Sequence, residues 1–121
     1  MIKQQILYYI LFIQINHLEN EFKEVQMAER SPKQRLYWLI DLVRNEKIEI
    51  PSFCNEFHIT YDHDSDIDEF STLENQCFGE LARLSARFSE FEDDLKRYPN
   101  VYSSEKEIRD KVSEVIQVLG I

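Results

Sequence analysis

Helix start and stop signals, with no length of alternation to compete with them, restrict this chain to an all-α fold. Ser31-Pro32-Lys33-Gln34 places a serine cap, a proline at the first helical position and a glutamine at the capping-box position, and Leu36, Leu39, Ile40 and Val43 follow at i, i+3, i+4 and i+7. That predicts an amphipathic helix ending near Asn45. Ile50-Pro51-Ser52 opens a second one, in which Phe53, Phe57 and Tyr61 recur every four residues beside Cys54. Ser71-Thr72-Leu73-Glu74 is a capping box, and Leu73, Cys77, Leu81, Leu84 and Phe88 predict one apolar stripe of about five turns. Phe91, Leu95 and Tyr98 are expected to face inward on a short helix that Pro99 stops. Ser104-Glu105-Lys106-Glu107 caps a last helix carrying Ile108, Val112, Val115, Ile116 and Leu119, with Gly120 at its C-cap. Only two glycines and three prolines supply turns. The expected architecture is therefore an antiparallel four-helix bundle.

Between Tyr61 and Phe70 the pattern breaks into Asp62-His63-Asp64-Ser65-Asp66-Ile67-Asp68-Glu69, five carboxylates in eight residues with no lysine or arginine. Like charges this close repel by roughly 1 kcal/mol per near pair even in water, so the run costs stability that a neutral loop would not. It reads as a loop between the helix ending at Tyr61 and the Ser71 cap. Glu90, Glu92, Asp93 and Asp94 form a second patch beyond the third helix. The whole chain carries 23 acidic against 14 basic residues, a formal net charge of -9. That argues against nucleic acid or an anionic membrane face as a direct partner and for a cationic one.

The first 26 residues have a different texture. Ile6 to Ile13 is a solid apolar run, ended by Gln14 and Asn16 short of the roughly 20 residues a membrane span needs, and without a small-residue cleavage site. Residues 1–26 read as an extra N-terminal helix, a dimer contact or a non-native extension, with residues 27–121 as the single helical domain. The oligomeric state is left open. Cys54 and Cys77 sit in apolar helical patterns without metal spacing, which predicts buried thiols in a reducing compartment.

No phosphate-binding loop, dinucleotide glycine fingerprint, zinc pattern or nucleophile elbow is present, so no enzyme activity, catalytic residue, cofactor or metal is expected. His58 and His63 are five apart, which is not the i, i+4 spacing of two ligands on one helical face; His17 lies in the amino-terminal segment. Asp62, Asp64, Asp66 and Asp68 fall at positions 1, 3, 5 and 7 of a calcium loop, yet position 6 is Ile67 where a glycine is required and position 12 is Leu73 where a bidentate glutamate is required.

The stretch Ile48 to Phe57 leading to Tyr61-Asp62, the segment Cys77-Phe78-Gly79-Glu80-Leu81, Arg87-Phe88-Ser89 with Asp93-Asp94, Tyr98-Pro99, and Glu105 to Arg109 with Val112 resemble the colicin D-type immunity family. That family includes the immunity partners of contact-dependent growth-inhibition toxins. The likeness covers about residues 33 to 119 and consists of diffuse helical patterns. It implies a small acidic cytoplasmic bundle that binds a cognate nuclease toxin domain, often one that cleaves tRNA, and masks its basic active cleft with carboxylates. From this chain's own charge density, the partner-binding residues are expected to be Asp62, Asp64, Asp66, Asp68 and Glu69, then Glu90, Glu92, Asp93 and Asp94. Phe70 and Phe91 are expected in the core. The alternative reading is a small acidic calcium-responsive or adaptor domain.

Overall fold

Among the described residues there are five α-helices, and serine caps open the third and the fifth where the sequence places them. The computed structural model describes residues 30–121, and residues 32–121 make one compact unit. The expectations for residues 1–26, including His17, lie outside the described residues. The helices are α1 (Pro32–Arg44), α2 (Ile50–Ile59), α3 (Thr72–Ala86), α4 (Glu92–Arg97) and α5 (Glu105–Leu119). Among the described residues there is no strand, only an isolated parallel bridge between Phe88 and Ser103, and no helix is long and apolar enough to cross a membrane.

Local chemistry accounts for the boundaries. Pro51 sits in the first turn of α2, where a missing N–H costs nothing. The Ser71 hydroxyl accepts from the Glu74 N–H at 3.1 Å and the Glu74 carboxylate accepts from the Ser71 N–H at 2.9 Å, which completes the predicted capping box of α3. Ser104 accepts from the Glu107 N–H at 3.1 Å. Gly120 takes the left-handed φ of 67° that a C-terminal cap asks for. At the end of α1 the same left-handed position falls to Glu46, at φ 54°, with the Lys47 N–H returning to the Leu42 carbonyl at 2.8 Å.

The core is built by α1, α2, α3 and α5: α2 packs on α1 and α3, α3 on α5, and α5 closes back on α1. Phe78 is its centre. It is fully buried and packs edge-on against Tyr37 of α1, Phe57 of α2 and Phe70, with ring centroids 5.2, 6.0 and 5.8 Å away. Cys54 and Cys77 are free, buried thiols as expected.

Two details differ from the sequence reading. The buried face of α3 is Glu74, Cys77, Phe78, Leu81, Ala82 and Ser85, so Cys77 and Leu81 of the predicted stripe are buried and Leu84 and Phe88 pack partly covered against the core, but Leu73 is exposed and the face is centred nearer Phe78. Phe78, packed against Tyr37, Phe57 and Phe70, takes the centre of that face, and Glu74 one turn earlier meets Tyr37 and Lys33 of α1. Phe91 and Tyr98 are also exposed where a core position was expected, because α4 has six residues and none of them is buried. One and a half turns cannot present a stripe wide enough to cover.

Candidate functional site

The acidic run is more structured than a loop. From Thr60 to Asp64 the chain continues α2 as a π-helical turn, and Ile67–Glu69 form one turn of 3₁₀-helix. The wide turn follows from what is packed. Thr60 is buried, and Tyr61 lies across Gly79, whose missing side chain leaves room: a Cβ there would sit 3.3 Å from the Tyr61 hydroxyl. That hydroxyl is 3.3 Å from both the Asn75 backbone carbonyl and its side-chain oxygen. Phe53, Phe57 and Tyr61 follow one another along one face, and the π-turn opens where Tyr61 is set against Gly79.

Every carboxylate of the run is exposed, and α1 partly compensates them. Asp62 lies 3.7 Å from Nδ1 of His58, one turn back on α2. Asp64 is held by Arg35 at 3.2 Å. Asp66 accepts the Asp68 N–H at 3.0 Å and so caps the 3₁₀ turn. The Glu69 backbone carbonyl accepts from Lys33 at 3.4 Å, and Lys33 also stands 6.0 Å from the centre of the Phe70 ring. Phe70 is buried, as expected, and pins the end of the run to Phe78. Ile67 stands 61% exposed in the middle of the run.

Behind this surface lies a buried polar network. The Glu74 carboxylate accepts from the Tyr37 hydroxyl and from the Ser71 N–H, and it pairs with Lys33 at 3.2 Å. Burial alone raises the pKa of a carboxyl, but the Ser71 N–H, the Tyr37 hydroxyl and the Lys33 ammonium together outweigh it and hold Glu74 at about 2. Tyr37 moves the other way: burial and its bond to Glu74 hold the phenol protonated well above its usual range.

The second patch is built differently. Arg87 to Ser103 leaves the helical core and returns, closed at its base by the Ser103 N–H to the Arg87 carbonyl at 2.8 Å and the Ser89 N–H to the Ser103 carbonyl at 3.0 Å. Ser89 is buried; its hydroxyl accepts from the Phe91 N–H at 3.1 Å and donates to Asp94 at 2.8 Å. Asp94 is thus engaged in shaping the excursion, and Glu92 pairs with Lys96 at 3.7 Å. Glu90 and Asp93 are exposed, and Glu90 lines a groove with Glu49, Pro51, Phe88, Leu95 and Glu105. The two acidic patches are held apart by α3, 15 residues long and therefore about 22 Å from end to end.

Sequence patterning missed the exposed apolar residues beside these acids: Ile67 and Leu73 at the first patch, Phe91, Tyr98 and Val101 at the second. The available signal was the length of α4, bounded by Ser89 and Pro99. Among the described residues no three His, Cys, Asp or Glu side chains gather where they could hold an ion. Of the aspartates at the would-be calcium positions, Asp62 turns to His58, Asp64 to Arg35 and Asp66 to the chain's own N–H group. Comparison with family models, with curated proteins and with solved structures returns no match, so the family resemblance rests on the residues quoted above.

Proposed function

We propose that this protein is an immunity protein of the colicin D type, which binds a basic nuclease toxin domain and covers its cleft with carboxylates that stand in for substrate phosphates. The observation that carries this reading is the segment Asp62–Glu69: five exposed carboxylates on a π-turn, a 3₁₀ turn and the cap between them, fixed at one end by Tyr61 over Gly79 and at the other by buried Phe70. A preorganised row of negative charge loses little freedom when a cationic surface meets it. It also accelerates capture, since complementary fields raise association rates by about 10- to 1,000-fold at low salt. Blocking the cleft requires no reaction by the inhibitor, and the charges of Arg35 and Lys33 behind the row keep it compatible with folding in the free protein.

This reading predicts a nuclease toxin domain encoded beside this chain's gene, and the test is association kinetics with that domain. Wild type should bind it with a rate constant that falls steeply with salt. Replacing Asp62, Asp64, Asp66 and Asp68 together with asparagine should slow capture on the order of 10- to 100-fold while the melting temperature holds. Unchanged capture and full protection of toxin-challenged cells by that variant would remove the assignment.

A further inference from the structure

The excursion from Arg87 to Ser103 carries an aromatic surface that the fold does not use. It is ordered by its own bonds, at Ser89, Ser103 and Asp94, yet no residue of α4 is buried and Phe91 stands 64% exposed. Tyr98, 54% exposed, and Val101, 51% exposed, lie on the same excursion, and Tyr98 packs edge-on against Tyr102 with centroids 6.2 Å apart. Fixing backbone costs roughly 1–2 kcal/mol per residue, and burying a phenylalanine would return about 1.5–3 kcal/mol; here the ordering is done and the burial is not. Rigid, exposed aromatics ringed by polar groups are what the centre of a protein interface is made of.

We infer that this excursion is a hydrophobic anchor, in which Phe91 and Tyr98 enter an apolar pocket rimmed by lysine and arginine on the nuclease partner. The inference rests on the nuclease-inhibitor reading above. Charge selects the partner: Glu90 and Asp93 beside Phe91 have the same sign as the Asp62–Glu69 row and as the chain's net charge of -9. Glu92 pairs with Lys96, and the cations Lys96 and Arg97 stand at the Tyr98 end, so a cationic protein surface meeting the Phe91 end satisfies both patches, whereas an anionic lipid face is repelled. The division of labour is kinetic. Exposed charges set how fast the partners meet, and desolvated aromatics set how slowly they part.

The test uses the full chain and the nuclease domain encoded beside its gene, with association and dissociation measured separately. Phe91→Ala should weaken binding on the order of 30-fold, carried by faster dissociation, with the salt dependence of association unchanged. Phe91→Leu should recover part of the loss, and because α3 separates the two patches, the effects of Phe91→Ala and of the fourfold asparagine variant should add. A Kd for Phe91→Ala within about twofold of wild type overturns the anchor and leaves the inhibitor reading standing. A wild-type chain that does not bind the nuclease at all overturns both. If sedimentation shows a wild-type dimer that Phe91→Ala dissociates, the surface is a contact between copies of this chain and the anchor is likewise overturned.

Discussion

The two ends of α3 are both acidic, and they are anchored in opposite ways. At the N-terminal end the carboxylates are wired to another helix: Arg35 to Asp64, Lys33 to Glu74 and the Glu69 carbonyl, Tyr37 to Glu74. At the C-terminal end, among the described residues, Asp94 is tied to Ser89 and Glu92 to Lys96 of their own excursion, whose base is closed by a backbone bridge to Ser103. Similar composition thus produces one surface whose shape depends on the core and another that depends on itself. Removing buried Glu74 at the first should propagate into global stability, whereas changes to its exposed aspartates and changes at the second should stay local.

The largest expected difference is between two glutamates. Glu74→Ala leaves the Tyr37 hydroxyl, the Lys33 ammonium and the Ser71 N–H without their shared acceptor and should cost on the order of 3 kcal/mol in urea unfolding, against a few tenths for the exposed Glu92→Ala. Glu74 also sets an acid limb. Its folded pKa, about 2, lies below the ordinary 4.5, so between those values the unfolded chain binds more protons and stability rises with pH. The contribution, of order 3 kcal/mol, is fully present above pH 4.5 and is lost as pH falls toward 2. Glu74→Gln should flatten that limb; a limb of unchanged slope would show that other carboxylates set it.

Ser89→Ala comes next. It removes the acceptor for the Phe91 N–H and the donor to Asp94, and should cost about 1 kcal/mol, seen as faster amide exchange from Glu90 to Tyr98 with α1, α2 and α3 unaffected. Faster exchange across the core as well would contradict the autonomy of this end. The smallest change is expected from the fourfold asparagine variant. Its Asp66→Asn substitution keeps a side-chain oxygen to cap the 3₁₀ turn, the exposed pair with Arg35 is worth at most about 1 kcal/mol, and relief of repulsion offsets its loss, so the melting temperature should barely move.

What the sequence disclosed was whatever is decided locally. The Ser71–Glu74 box, the Ser104 cap, Gly120 and the apolar faces of α1 and α5 were legible because their partners lie within a turn or two. The place of Phe78 and Glu74 on the buried face of α3 was not, since their partners Tyr37, Lys33 and Phe57 lie on other helices, far back along the chain. The π-turn was not legible either: Phe53, Phe57 and Tyr61 repeat every four residues as one face of an α-helix does, and the contact of Tyr61 with Gly79 is made to another helix. Phe91 misled because an aromatic in a helical pattern reads as core until the brevity of α4 is known.

The two cysteines give the molecule a built-in clock. Cys54 on α2 and Cys77 on α3 are both hidden, and burial pushes the Cys54 thiol up to about 12, so at neutral pH almost none of it is the reactive thiolate. A small alkylating reagent can modify them only when the helices part. The rate of Cys54 modification, followed by the mass of its peptide, therefore counts openings of the α2–α3 core, and any partner that clamps those helices together should slow it in proportion to its occupancy.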